Sequence, residues 1–302
     1  MSFNALLVYL ALYQSSKNIR TYATLIATFA ITDFAACFLE LFVQQRIIPA
    51  GRSLAHVSYG FCNYFSSTTC FVGYSLMLHC FSHSIWLLRL SFSYRCYILL
   101  RPVPTRRNLI FTILVVYIPS FFQFVSLLWA QDEPSEILKI LHTKYPQYEF
   151  YGLVVTGTED VLCLSSMFTI LHMTLLITPV YICILFLRRK IIKLLTIQGV
   201  NLTNKTKNLH AQLLAALTCQ ALLPGFYLLG VASYIIGQLG ICNHPALEYF
   251  TFSSDLFVPF LSPLVSFVFV TTYRHLIIRT LYNLLRFEQS HVFSSQVHNH
   301  YA

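Results

Sequence analysis

Apolar positions in this chain fall into long unbroken runs, with polar residues gathered between the runs rather than alternating along them. A hydrocarbon layer about 30 Å thick takes roughly 20 apolar residues of helix at about 1.5 Å per residue. Six runs meet that length: Tyr22–Val43, Ser67–Leu90, Leu109–Trp129, Met167–Leu187, Leu213–Leu239 and Tyr249–Thr272. A seventh, Phe3–Tyr13, is apolar but only about half as long as a span requires. In hydrocarbon a backbone amide has no water to pair with, so each run must satisfy its own amides and be a helix. A membrane β-barrel would show alternating segments of about ten residues, and the sequence has none. The expected fold is all-α, a multi-pass transmembrane helix bundle of seven-helix receptor type with a truncated first helix. Residues 1–286 make the helical domain, with partial helix 3–13 followed by helices 22–43, 67–90, 109–129, 167–187, 213–239 and 249–272; residues 287–302 form a polar cytoplasmic tail.

Composition leads to the same solvent. Of 302 residues, 56% are hydrophobic and 10% charged, and the mean hydropathy is +0.63. A soluble domain carries about 25% charged residues. The short first run is not read as a signal peptide, because it has no basic stretch before it and no small-residue cleavage site after it. Lys17 and Arg20 follow it instead, as at the inner end of a helix.

Charge sets the orientation. Fifteen Lys and Arg lie in the loops after runs one, three, five and seven, against four, Arg46, Arg52, Lys139 and Lys144, in the other loops. The positive-inside rule places the first set in the cytoplasm, with the N-terminus outside and the C-terminus inside. A net charge of +9 then reflects topology and contact with anionic inner-leaflet lipid; no nucleic-acid-binding motif accompanies it. The overlapping sequons at Asn201 and Asn204 face the cytoplasm on this topology and are expected to carry no glycan.

No nucleophile elbow, phosphate-cradling loop or zinc signature is present, so neither an enzyme nor a cofactor is expected. His79 and His83 are four apart on the third helix, a spacing that can hold a metal. Two histidines are not a ligand set, and hydrogen-bonded core histidines account for them. Five prolines, Pro119, Pro179, Pro224, Pro259 and Pro263, lie inside runs, where a missing N–H kinks a helix. Pro224 with Gly225 predicts a hinge in the sixth helix, against ordinary packing geometry. Asp33 is an intramembrane acid, with a structural or a ligand-binding role open to it. Asp255 near the outer end of helix seven is expected to line a water-accessible cavity. Arg95, with Tyr94 before it, is placed to bridge helices three and six, to meet a cytoplasmic partner together with Arg106 and Arg107, or to snorkel at the interface. Of nine cysteines, Cys62, Cys70, Cys163 and Cys242 lie on the oxidising side. A bond from Cys62 or Cys70 to Cys163 is expected, with free thiols as the alternative.

Several of these residues carry a resemblance. Ile31-Thr32-Asp33-Phe34, Phe92-Ser93-Tyr94-Arg95 with the Arg101-to-Arg107 loop, Lys207 to Gln212, Gln220 to Pro224 and Tyr273-Arg274 are similar to the nematode serpentine chemoreceptors, class delta above all, over residues 4–285. The resemblance implies a G-protein-coupled chemoreceptor of sensory neurons, at the plasma membrane and often in cilia, with a heterotrimeric G protein as partner and a small molecule as ligand. It also implies that Tyr94-Arg95 stands where rhodopsin-like receptors carry an acidic-Arg-aromatic motif, although Ser93 replaces the acid. A pocket between the outer halves of helices three, five, six and seven is expected, with Tyr74, His79, His172, Tyr227 and Asp255 as its candidates. Three other readings stand beside this one: a truncated, non-signalling protein acting through a receptor partner (with receptor oligomers also open), a transporter, and a channel of inverted topology. No internal repeat supports a transporter, and the charge count opposes the channel.

Overall fold

In the computed structural model, residues 1–15, 20–199, 215, 218–242, 244–270 and 273–279 are described. The segment Lys207 to Gln212, both sequons, the first residues of the predicted sixth helix, Arg286 and the tail 287–302 lie outside them.

Among the described residues six helices are long and apolar enough to cross a membrane. They are the second (Arg20–Val43), third (Ser67–Leu100), fourth (Arg106–Leu128), fifth (Leu164–Ile197), sixth (Thr218–Gln238) and seventh (Pro245–Phe269). A shorter first helix, Ser2–Tyr13, packs on the second and seventh. The third is the axis of the bundle. It buries Phe71, Phe81, Phe92 and Met77 on several sides and touches the second, fourth and fifth. The fourth and fifth turn Phe111, Leu114, Ile118, Ile182 and Phe186 outward, as helices do when lipid rather than water is outside. Small polar residues collect inside instead, Ser75, Ser82, Ser84 and Ser120 among them; the last three close the bundle by hydrogen bonds with His172, Asp33 and His83 of neighbouring helices.

The third helix runs to Leu100, ten residues beyond the predicted end at Leu90. Ser91, Tyr94 and Arg95 dilute its apolar character there, yet they point into the bundle and are buried. Ser66 caps its start by accepting from the Thr69 amide at 3.1 Å, and Thr105 caps the fourth by accepting from Asn108 at 3.3 Å. The fifth helix passes through a π turn at His172–Leu176. The sixth is interrupted at Leu223, with Pro224 as the first residue of its second piece, where a missing N–H costs least. In the seventh, Pro263 cannot donate to the Pro259 carbonyl. Asn4 of the first helix donates to that carbonyl instead, at 2.9 Å, tying the two helices together.

One end of the bundle carries a lid that the sequence did not announce. Strands β1 (Gln45–Ala50) and β2 (Ser53–Ser58) form a hairpin, turning at Gly51 with φ 75°, and β3 (Val154–Thr158) pairs with the free edge of β2. Pro49 is tolerated because β1 is an edge strand. One face of the sheet packs Ile48, Ala55, Val57 and Val155 against Ile137 and Leu141 of a short helix, Pro134–Lys144. The other face sets Ile47, Leu54 and His56 on the bundle. The chain leaving β2 passes so close to the second helix that a Cβ on Gly60 would lie 2.3 Å from the Phe42 carbonyl oxygen.

The expected disulfide to Cys163 is corrected. Cys62 bonds to Cys70, eight residues away, and Cys163 carries a free thiol beside Ser165 and Thr158. A turn at Phe61–Tyr64 folds Cys62 back onto the first turn of the third helix, 5.1 Å Cα to Cα. The pairing is local, set by a turn that composition does not reveal.

Candidate functional site

Beneath the lid lies a mostly apolar cavity of about 80 Å³. Ile47 and Leu54 of the sheet roof it. Tyr74 and Leu78 come from the third helix, Thr169 and Met173 from the fifth, Gly230 and Tyr234 from the sixth, and Phe252 and Asp255 from the seventh. The bundle positions them by helical periodicity: Tyr74 and Leu78 are one turn apart on one stripe. A Cβ on Gly230 would sit 2.6 Å from the Thr251 carbonyl and 2.7 Å from Asp255 Oδ1, so only glycine lets helices six and seven meet here.

Of the five predicted pocket residues, Tyr74 and Asp255 share this cavity and the other three do not line it. His79 lies about 140° round the third helix from Tyr74, at about 100° per residue. It turns to the fourth helix, where it and His83 stack with centroids 5.9 Å apart and both meet Tyr117 edge-on. Among the described residues no third His, Cys, Asp or Glu joins them as a metal ligand. His172 shares a 2.9 Å hydrogen bond with Ser82, and the Tyr227 hydroxyl donates to the Phe81 carbonyl at 3.2 Å. Both tie helices to the third. Ile47 and Leu54 were missed because nothing marks a loop residue as a roof. Gly230 was within reach, since a glycine inside a helix costs about 1 kcal/mol and asks for a packing reason.

Just outside the cavity His56 packs on Tyr74 at 4.3 Å between centroids, the rings tilted by 37°, with both imidazole nitrogens unpaired. Burial pushes its pKa down to about 3. An unfolded histidine titrates near 6.5, so the unfolded lid takes up a proton that the folded lid refuses. The lid's full stability is present above about pH 6.5 and falls as pH drops from there toward 3, by about 2 kcal/mol at pH 5. Hydrogen exchange of the β1–β3 amides, corrected for intrinsic rates, is expected to speed up between pH 7 and 5 in the wild type and to stay flat in His56→Leu. Equal profiles for the two would remove His56 as the cause.

At the far end of the bundle Arg95 is buried, not exposed to a partner, and among the described residues nothing joins it to the sixth helix. Its Nε and Nη2 donate to the Tyr22 hydroxyl of the second helix, and Tyr22 stacks on Tyr94 at 5.6 Å. With Ser93 in place of an acid, a phenol is the acceptor the arginine finds. Arg106 and Arg107 are exposed at the start of the fourth helix. Midway, Asp33 is fully buried, accepting from Ser84 at 2.8 Å, while its Oδ2 makes no hydrogen bond.

This helix bundle, with a roofed cavity at one end and a buried arginine at the other, has the rhodopsin architecture. The crystal structure of squid rhodopsin superposes on it with a TM-score of 0.52, covering 94% of this chain and 81% of that one at 14% identity. The family described as serpentine type 7TM GPCR chemoreceptor Srd matches residues 1–279. Serpentine receptor class delta-19 of Caenorhabditis elegans is 40% identical over 92% of this chain and 83% of its own length. Serpentine receptor class delta-18 of the same organism is also 40% identical, over 93% and 84%. The chain belongs to the Srd family of serpentine chemoreceptors, a receptor family rather than an enzyme family.

Proposed function

We propose that the chain is a chemosensory G-protein-coupled receptor that takes a small-molecule cue into the cavity beneath the lid and signals to a heterotrimeric G protein at the far end. The observation that carries this reading is the cavity itself, which is small, mostly apolar and bounded by four helices and a sheet, as recognition sites between bundled helices are. The lid then faces outside and the Arg95 end the cytoplasm, in line with the charge count, in the plasma membrane of a sensory cell or its cilium.

The mechanism follows from differential contacts. A cue that touches Gly230, Tyr234 and Asp255 bears on helices six and seven together. The break at Leu223 and Pro224 lets the lower part of the sixth helix move without unfolding the upper. Release of Arg95 from Tyr22 would turn it toward the G protein beside Arg106 and Arg107. Pro224→Ala restores a helical N–H and is expected to lower cue-driven signalling several-fold with surface expression unchanged. Wild-type signalling from that variant would remove the hinge.

The function is tested by expressing the full chain, tagged at both ends, with a set of G proteins and a broad panel of cues. An outside N-terminus, an inside C-terminus and a response lost in Leu78→Trp, which fills the cavity, are the expected results. Normal surface display with no response to any cue would overturn the signalling reading.

A further inference from the structure

The cavity has one acidic wall. Among its described lining residues Asp255 alone is ionisable as an acid or base of ordinary strength, and it is buried, 7% exposed. Its Oδ1 makes no hydrogen bond, and it has no ion pair with a described Lys or Arg. A buried carboxyl without a partner is costly, and here it is packed close against the sixth helix at Gly230. The missing Cβ of Gly230 leaves the space in which Oδ1 lies, and Ser254 Oγ lies against the same space. On the fifth helix, Thr169 Oγ1 is a second buried polar atom with no partner. Two aromatic rings line the same cavity: Tyr74, packed edge-on to Phe252 at 5.7 Å, and Tyr234. The remaining walls are aliphatic.

This set is selective for one charge type. A neutral cue can at most donate a hydrogen bond to the carboxyl and brings no charge to balance it, and an anionic cue would add a like charge in a low-dielectric site. An ammonium group pairs with the carboxyl, donates a further hydrogen bond toward Thr169, and is attracted by the faces of Tyr74 and Tyr234. The geometry points to a small primary amine, bound as its ammonium ion with nitrogen at Asp255 and its short alkyl or aryl tail among Ile47, Leu54 and Leu78. The inference rests on the receptor reading above for the cavity's being the cue site.

The test uses the full chain in lipid nanodiscs and three probes of one shape: isoamylamine, isoamyl alcohol and isovalerate. Isoamylamine is expected to raise the melting temperature in a saturable way at neutral pH, with no shift from the alcohol or the acid. Asp255→Asn should weaken the amine at least tenfold, and Asp255→Glu should recover part of that loss. Equal shifts from amine and alcohol, wild-type amine affinity in Asp255→Asn, or no shift from any straight-chain amine from methyl to hexyl would overturn the proposal. The comparison of probes on the wild-type chain decides the matter even where the variant misfolds. The two readings fail separately. An amine that binds through Asp255 while no G protein responds ends the signalling function and keeps the amine site. A cue that signals equally through wild type and Asp255→Asn does the reverse.

Discussion

Glu248→Ala is expected to destabilise the lid end of the receptor by about 3–5 kcal/mol, the cost of stranding a buried charge. Glu248 sits in the first turn of the seventh helix and accepts from Arg46 Nε of β1 at 2.6 Å and from the Tyr148 hydroxyl at 3.0 Å. Both side chains of the ion pair are buried, 11% and 5% exposed, and the guanidinium also lies 4.5 Å from the Tyr148 ring centroid. Among the described residues, removing the acid leaves Arg46 with the Tyr59 hydroxyl, at 3.3 Å, as its one hydrogen-bond partner, and no countercharge. The contrast is the double replacement Arg46→Met with Glu248→Leu. It removes both charges and should recover most of the loss, because a buried pair is often worth no more than apolar side chains of similar volume. Thermal unfolding in nanodiscs checks both. A single variant that melts with the wild type would show the pair to be solvated.

The second large effect concerns the covalent link. Reducing the Cys62–Cys70 bond, or replacing Cys70 by serine, is expected to cost about 2 kcal/mol, the low end for a short closed loop. What it frees is the turn at Phe61–Tyr64, which otherwise holds the exit of β2 against the third helix through the Asn63 donation to the Ser58 carbonyl at 2.8 Å. Melting with and without reductant measures the loss, and peptide mapping under non-reducing conditions should recover Cys62 joined to Cys70. A Cys163-containing cross-link would overturn the assignment.

The contrast between these two sites shows what a single sequence can carry. The spanning helices were legible because hydrocarbon allows one backbone solution and sets its length. The lid was not. Its strands are five or six residues long, one contains Pro49, and β3 lies nearly a hundred residues after β2, so no local pattern marks them as partners. The cavity was half legible for a related reason. Soluble helices declare their inner face by an apolar stripe, but a helix in lipid is apolar all round. Tyr74 and His79 were therefore indistinguishable as inward-facing residues until the third helix had neighbours. Arg95 was found as a residue and misjudged in its surroundings, because its acceptor, Tyr22, is 73 positions away.

The sheet that roofs the cavity is also fastened to its walls, by Arg46 to the seventh helix and by Cys62 to the third. Grip and occupancy therefore share one free energy. An antibody fragment that clamps β1 to β3 and tightens the hold on a cue tenfold must itself bind tenfold more tightly when the cue is present, so the state of the cavity can be read from the outer surface of the lid without tracking the cue at all.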